Sequence, residues 1–279
     1  MHKDLFFCHF AGDPFFNMAF DEWMLSSVFS SPGSTLLRLY TWRVGAITIG
    51  YHQGLERAVN TANLGDTPVI RRVTGGRAVY HDPSELTYAI AVNPLVPDSD
   101  DARANSIAAA HRRFALALSV FLKELDIDTV VAERSTVSGN RSRRHHKEPC
   151  FSSVARCELL HQGRKIVASA QRQIRGVILQ HGSIKLSGVV SHPALTVSHT
   201  DGSKPQPIGR EQLDMLAHLF LRSMTKALGV TLKPGLVSSR VDSIVRFHTD
   251  VIERYPLSRR FSVEQDAPPG SLISEKTSV

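Results

Sequence analysis

Long apolar runs and cysteines are both scarce in this sequence. No apolar run approaches the roughly 20 residues that a membrane-spanning helix needs, so a membrane protein is not expected. Residues 1–14 have neither the pattern of a secretory signal nor that of a transit peptide, which makes the cytoplasm the expected location. The three cysteines, Cys8, Cys150 and Cys157, have no metal-ligand spacing, and a reduced compartment without disulfides fits them.

The composition is that of a globular protein with a surplus of positive charge. The 279 residues are enough to bury a full core, and 42% of them are hydrophobic. The 33 Lys and Arg residues exceed the 26 Asp and Glu residues, giving a formal net charge of +7. This surplus favours an acidic partner, either nucleic acid or an acidic carrier protein.

The chain alternates β-rich segments with amphipathic helices. Asp13 and Pro14 predict the start of a first helix whose Met and aromatic residues form part of the core. Segments 35–42 and 45–50 predict two strands joined by a short turn, and long helices are predicted over 104–125 and 209–228. We expect an α+β fold with a largely antiparallel central sheet flanked by helices, forming one domain over residues 1–263, with a disordered tail at 264–279.

The densest cluster of candidate functional residues lies in segment 71–82. Segments 68–70 and 78–80 predict strands, which places two consecutive glycines at a sharp bend between them. Glycine permits positive φ and has no Cβ, so backbone N–H groups can approach a carbonyl or phosphate closely. The candidate substrate-binding residues are Arg71, Arg72, Thr74, Gly75, Gly76, Arg77 and His81. A plain Gly-Gly hairpin with a solvated basic face is the alternative.

Segment 71–82 resembles the Arg-Arg-x-x-Gly-Gly-x-Ala-Val-x-His-Asp motif of the lipoate-protein ligase and octanoyltransferase superfamily. With Glu85-Leu86-Thr87-Tyr88 after it, the motif is most similar to that of the single-domain octanoyltransferases with a cysteine nucleophile. Segment 163–171 is similar to the one that carries the family's active-site lysine, here Lys165. The resemblance implies a catalytic domain of the biotinyl/lipoyl-protein-ligase type.

Acyl transfer through an enzyme needs a nucleophile, a base and donors for an oxyanion. The resemblance implies that Cys150 forms the acyl-enzyme and that Lys165 accepts its proton. Backbone N–H groups of residues 74–77, or of Lys165 itself, are the candidate oxyanion donors. If residues 162 and 163 form a two-residue hairpin loop, residue 161 pairs with 164, 160 with 165 and 157 with 168. Cys157 then faces away from Lys165 and is a small buried hydrophobe.

The resemblance also implies the partners. The donor is octanoyl-acyl-carrier protein, and the acceptor is a lysine of a lipoyl domain of a 2-oxoacid dehydrogenase or of the glycine-cleavage H protein. No cofactor or metal is required. The rival interpretation is an ATP-dependent lipoate-protein ligase, which needs ATP but no cysteine.

Segment 134–149 holds five basic residues and the pair His145-His146, and it leads directly into Cys150. We expect a basic loop that acts either as a lid or as a docking site for an acidic partner. A nucleic-acid-binding module driven by this loop is a remote alternative, because no known nucleic-acid-binding motif accompanies the charge. Acyl chain length, the acceptor used and the oligomeric state are left open.

Overall fold

The computed structural model describes residues 4–94, 107–133, 157–195 and 205–235. Several predicted features lie outside these ranges: the basic loop 134–149 with its histidine pair, Cys150, and the tail 264–279. The single domain predicted over residues 1–263 crosses the same gaps, and its extent stays a prediction.

The described residues form eleven strands, four α-helices and one short 3-10 helix. In chain order these are β1 (Asp4–Gly12), α1 (Pro14–Phe29), β2 (Ser34–Trp42), β3 (Ala46–Ile49), α2 (Leu55–Ala58), the 3-10 helix Thr61–Asn63, β4 (Val69–Arg71), β5 (Val79–His81), β6 (Leu86–Asn93), α3 (Ile107–Lys123), β7 (Val130–Val131), β8 (Leu159–His161), β9 (Arg164–Ile174), β10 (Val177–Ile184), α4 (Arg210–Leu228) and β11 (Lys233–Pro234).

A large sheet of eight strands organises the fold, in the order β11-β1-β2-β6-β10-β9-β8-β7. Strand β1 pairs in parallel with both of its neighbours, and all other neighbouring strands are antiparallel. Helices α3 and α4 cover one face of the sheet and α1 covers the other. The predicted α+β class with a largely antiparallel sheet is therefore confirmed. Among the described helices, none is long and apolar enough to cross a membrane.

Helix α1 begins as the sequence predicts. The Asp13 carboxylate accepts hydrogen bonds from the N–H groups of Phe15 at 2.9 Å and Phe16 at 3.2 Å, and Pro14 occupies the first turn, where its missing N–H costs nothing. The predicted Met and aromatic core residues of this helix are buried. The prediction of a core stripe is confirmed for Met18, Phe20, Trp23 and Met24.

A second, three-stranded sheet has the order β4-β3-β5. Strand β3 lies between β4, to which it is parallel, and β5, to which it is antiparallel. Although β2 and β3 follow each other closely, they belong to different sheets. The glycine pair is not the tip of a hairpin either, because β4 and β5 lie on opposite sides of β3. The chain between them crosses from one edge of the small sheet to the other.

The β8–β9 hairpin differs from its predicted register. His161 pairs with Arg164 and Leu160 with Lys165, as expected from a loop at residues 162 and 163. The register then shifts, so that Leu159 pairs with Val167. The predicted pairing of residues 157 and 168 is wrong: Cys157 lies before β8, with φ of 68°, and its N–H donates to the Ala132 carbonyl. Cys157 is nevertheless buried, as predicted.

Candidate active site

A cavity of about 40 Å³ lies where the large sheet, α1 and the small sheet meet. Strands β2, β6, β9 and β10 form one side of it. The small sheet and residues 73–77, called the glycine segment below, form the other side. Its lining residues are Met18, Tyr40, Thr48, Arg72, Gly76, Val79, His81, Thr87, residues 168–170 and residues 181–183. Of the predicted substrate-binding residues, Arg72, Gly76 and His81 line this cavity, whereas Arg71, Thr74, Gly75 and Arg77 are not among its lining residues.

The glycine segment packs backbone to backbone against the end of β3. The Tyr51 N–H donates to the Thr74 carbonyl at 2.8 Å. A Cβ atom on Gly50 would lie 2.0 Å from the Gly76 carbonyl oxygen, and Gly76 itself has φ of 94°. Glycine is therefore required at position 50 by the close approach and at position 76 by the backbone conformation.

The two arginines that precede the glycines stabilise this segment from within. Arg72 is buried, and its guanidinium contacts the carbonyl oxygens of Thr48, Gly75 and Arg77 and the Thr48 hydroxyl through five hydrogen bonds of 2.7–3.2 Å. A guanidinium has five N–H donors, so all of them have acceptors in the protein. Arg71 donates to the carbonyl oxygens of the turn after β3, at 3.1 Å to Gly50 and 3.0 Å to Tyr51.

The same contacts direct the carbonyl groups of the segment into the protein. Arg172 donates to the Val73 carbonyl at 2.9 Å, and the carbonyls of Thr74, Gly75 and Arg77 also have donors. Within the part of the chain that the structure describes, the N–H groups of Gly75 and Gly76 donate to no protein acceptor. Of the two, only Gly76 is among the residues that line the cavity. The expected role of the bend as a donor to a ligand oxygen stays a prediction.

Glu85 is the acceptor at the centre of the buried polar network beside the cavity. Its Oε1 atom receives His81 Nδ1 at 2.7 Å, the Thr87 hydroxyl at 2.7 Å and the Ser183 hydroxyl at 2.6 Å. Its Oε2 atom contacts the Lys185 ammonium. Three of the four donor side chains line the cavity, so one inaccessible carboxylate fixes the orientation of much of the wall.

The charges in this network follow from burial and from the ion pair. Burial raises the pKa of Glu85, but the Lys185 ammonium and the hydrogen bonds from His81 and Lys185 outweigh burial and hold the pKa below its ordinary value. Burial lowers the pKa of Lys185, and the carboxylates of Glu85 and Asp82 raise it above its ordinary value. Burial keeps the pKa of His81 below its ordinary value. A neutral His81 donates from Nδ1 to Glu85 and accepts the Thr48 hydroxyl at Nε2, at 2.8 Å.

A second buried network links α1 to the glycine segment. His181 contacts the Thr74 hydroxyl through Nε2 at 2.6 Å and the Asp21 carboxylate through Nδ1 at 2.8 Å. Asp21 also accepts the Tyr40 hydroxyl at 2.9 Å and forms a fully buried ion pair with Arg38 at 3.0 Å. Thr74 is thus held by His181 at its hydroxyl and by Tyr51 at its carbonyl.

The polar side chains that line the cavity are all engaged with the protein. The engaged groups are the hydroxyls of Tyr40, Thr48, Thr87 and Ser183, both nitrogens of His81 and His181, the guanidinium of Arg72, and the hydroxyl of Ser169, which contacts that of Tyr88 at 2.8 Å. The part of the wall that a ligand can contact is mainly the hydrocarbon of four side chains: Met18, Val79, Ala168 and Ala170. An aliphatic group suits such a wall.

The predicted base lies beside a carboxylate. Lys165 is 7% exposed, and its Nζ atom is 2.5 Å from Glu158 Oε1. It does not line the cavity, although Ala168, three residues further along β9, does. Because Cys150 lies outside the described residues, the predicted pairing of Cys150 with Lys165 stays a prediction. Among the described residues, no group of three or more His, Cys, Asp or Glu side chains is placed to hold a metal ion.

The buried network contains functional candidates that the sequence analysis did not single out: Asp21, Glu85, His181, Ser183 and Lys185. One signal in the sequence identifies part of it. His181 and Ser183 occupy alternate positions of β10, and Lys185 continues the alternation one residue past the end of that strand. Alternate residues of a strand share a face. Three polar side chains on one face of a central strand indicate a buried polar site. Asp21, inside an apolar helix, carries no comparable signal.

A family model described as the lipoyl protein ligase A/B catalytic domain matches residues 13–227. This match covers most of the chain, including the glycine segment, Lys165 and the buried network. The chain belongs to the lipoyl protein ligase A/B catalytic domain family. The family resemblance noted in segments 71–82 and 163–171 is thereby confirmed.

Individual relatives support the assignment. The chain is 37% identical over 178 residues to octanoyltransferase LipM of Staphylococcus aureus and 38% identical over 183 residues to octanoyltransferase LipM of Moorella thermoacetica. In each case the alignment spans 62% of the relative's length. Protein Ta0514 of T. acidophilum, solved with bound lipoic acid, has the same fold, with a TM-score of 0.64 at 20% identity over 91% of this chain and 95% of that one.

Proposed function

We propose that this chain is an octanoyltransferase, which takes octanoyl from acyl-carrier protein and transfers it to the ε-amine of a lysine in a lipoyl domain or in the glycine-cleavage H protein. The single structural observation that supports it is the cavity wall, whose polar side chains are engaged with the protein and whose free surface is mainly hydrocarbon. A saturated eight-carbon chain needs such a wall. The curated relatives named octanoyltransferase point to the same substrate.

In the proposed reaction the thiolate of Cys150 attacks the carbonyl carbon of the carrier thioester. The carrier thiol leaves with a proton, and octanoyl becomes a thioester of Cys150. The amine of the acceptor lysine then attacks this thioester, the amide forms, and the Cys150 thiol is restored. Because the thioester supplies the activation, the reaction needs no cofactor. Lys165 accepts the Cys150 proton and returns it to the leaving carrier thiol.

The glycine segment has a defined part in this proposal. Each tetrahedral intermediate carries an oxyanion, which backbone N–H groups stabilise when they are fixed before the reaction. The N–H groups of Gly75 and Gly76 are unengaged within the described residues, and Arg72 and His181 hold the segment rigid around them. Arg71 and Arg72 act here by positioning the segment.

The donor decides between this proposal and the ligase alternative. Purified protein is incubated with H protein and either octanoyl-acyl-carrier protein without ATP, or lipoate with saturating ATP. Octanoyl-H protein is expected in the first mixture and no product in the second. Product that appears only with ATP and lipoate would establish the ligase. No product in either mixture, together with salt-sensitive binding of RNA or DNA, would revive the nucleic-acid-binding alternative.

A further inference from the structure

We propose that Glu158 is a positioning residue of this reaction: it fixes Lys165 in place and stabilises the ammonium that Lys165 becomes when it takes the Cys150 proton. The inference rests on the proposed function and adds to it a residue that neither the sequence motifs nor the cavity identified. It is carried by the ion pair between Lys165 and Glu158 and by the backbone on either side of that pair.

The ion pair is almost completely shielded from solvent. The side chains of Lys165 and Glu158 are 3% and 4% exposed, and Lys165 Nζ lies 2.5 Å from Glu158 Oε1. A contact of this kind joins an ammonium to a carboxylate, and the ammonium is the form that Lys165 takes once it has accepted the thiol proton. Because the removal of two charges from water can cost more free energy than their attraction returns, stability alone does not account for the pair.

The backbone before Glu158 is strained. Cys157 has φ of 68°, in the left-handed region that residues other than glycine rarely adopt. Its N–H donates to the Ala132 carbonyl at 2.8 Å, and the Glu158 carbonyl accepts the Ala132 N–H at 2.8 Å. These two hydrogen bonds fix the backbone that carries Glu158, at the expense of an unfavourable conformation one residue earlier.

The backbone after Lys165 is irregular as well. Lys165 pairs with Leu160 but Val167 pairs with Leu159, so Ile166 is an extra residue in β9. Such a β-bulge redirects the side chains beside it, and bulges are frequent next to active sites. A strained residue and a bulge thus flank the same buried ion pair, and this coincidence favours a functional role for the pair over a structural one.

The role of Glu158 follows from the charges during the reaction. When Cys150 loses its proton to Lys165, the amine gains a positive charge, and when the carrier thiol leaves, Lys165 gives the proton up again. Glu158 stays ionised throughout and stabilises the charged form of Lys165 by attraction, as the carboxylate of a catalytic triad does for its histidine. On helix α3, burial and the charge of Lys165 lower the pKa of His111, so a neutral His111 does not offset the charge of Glu158.

The first test is the rate at which the protein gains one octanoyl group from octanoyl-acyl-carrier protein, followed by intact mass. Glu158→Gln keeps the size of the side chain and removes its charge. We expect its rate at saturating donor to fall by about tenfold or more, with the donor concentration for half the maximal rate within about twofold of the wild-type value. Glu158→Asp keeps the charge on a shorter side chain and should recover part of the loss. A Glu158→Gln protein that loads as fast as the wild-type protein would overturn the inference.

The second test asks whether Glu158 acts through Lys165. Alkylation of Cys150 by iodoacetamide, measured on the peptide that carries it, reports the thiolate in any variant. Glu158→Gln should slow this alkylation in the wild-type background but change it by less than about twofold when added to Lys165→Met. A tenfold further loss in the double variant would show that Glu158 acts independently of Lys165, and it would overturn the inference. Since the double variant leaves neither charge buried alone, this comparison remains if Glu158→Gln by itself fails to fold.

Glu124→Gln is the matched control. It makes the same substitution in another ion pair, that of Glu124 with Arg222, whose side chains are exposed. Its loading rate is expected to equal that of the wild-type protein, and a loss as large as that of Glu158→Gln would overturn the specific role of Glu158. A wild-type protein that gains no octanoyl would overturn the proposed function and this inference with it. Wild-type loading that Glu158→Gln does not change would overturn this inference alone.

Discussion

At the scale of single residues, the contact between Gly50 and Gly76 is the most restrictive feature of the site. In Gly50→Ala the added Cβ would meet the Gly76 carbonyl oxygen at 2.0 Å, and neither backbone can move without disturbing the segment beside the cavity. We expect a loss of about 1–3 kcal/mol in the free energy of unfolding, measured by urea denaturation, together with impaired transfer.

Gly54→Ala is the control for that substitution, because a Cβ there meets no atom within 4 Å. It is expected to cost less than about 1 kcal/mol, the effect of replacing glycine by alanine at the N-cap position of the short helix α2. Equal losses in the two variants would show that the close approach at Gly50 does not constrain the fold.

His9 provides a second test at this scale, through pH. Burial, with the charges of Arg38 and Arg210, lowers the pKa of His9 to about 3, whereas the unfolded chain has its ordinary value of 6.5. Below pH 6.5 the unfolded state therefore binds a proton at His9 that the folded state does not. As the pH is lowered, this residue decreases the free energy of unfolding by at most about 1.4 kcal/mol per pH unit.

His9→Phe removes that titration and can keep the ring contact with Phe16, whose centroid is 5.2 Å away. Urea unfolding at pH 7, 6 and 5 is expected to show a shallower decline in stability for the variant. Some decline should remain, because burial also lowers the pKa of His81. A decline as steep as that of the wild-type protein would mean that His9 is protonated in the folded state.

At the scale of elements, helix α1 is fixed by two carboxylates with different roles. Asp13 caps its first turn, and Asp21 joins it to β2 through Arg38 and Tyr40 and to β10 through His181. Asp21→Ala leaves Arg38 buried without its carboxylate, and we expect a loss of about 3–5 kcal/mol. Asp13→Ala is expected to cost about 1 kcal/mol. Chemical denaturation measures the free energy of unfolding of both variants. Similar losses in Asp21→Ala and Asp13→Ala would contradict the central role of Asp21.

The elements also show how far the sequence predicts the structure. Asp13-Pro14 and the amphipathic patterns of α3 and α4 are local signals, so those helices were predictable. The register shift at Leu159 was not, because it follows from how β8 meets its neighbours and not from the hairpin loop. Nor was the separation of β2 and β3 into two sheets, since strand order depends on contacts distant in sequence. The buried charges of the site depend on the same long-range contacts.

At the scale of the whole molecule, the positive net charge is expected to act on the encounter with an acidic carrier. The triple variant Arg141→Ala, Arg143→Ala, Arg144→Ala should weaken transfer from octanoyl-acyl-carrier protein more than transfer from octanoyl-coenzyme A. The difference should shrink as salt is added, because screening weakens attraction between exposed charges. Equal losses with both donors at every ionic strength would remove the docking role of segment 134–149.

The central claim is that octanoyl passes through a thioester of Cys150, and the intact mass of the protein after mixing with octanoyl-acyl-carrier protein tests it most directly. The wild-type protein and Cys157→Ala are expected to gain one octanoyl group, since Cys157 is buried beside the hairpin. Cys150→Ala should gain none, and Lys165→Ala should gain it slowly if at all. An adduct that persists in Cys150→Ala and vanishes in Cys157→Ala would contradict the account.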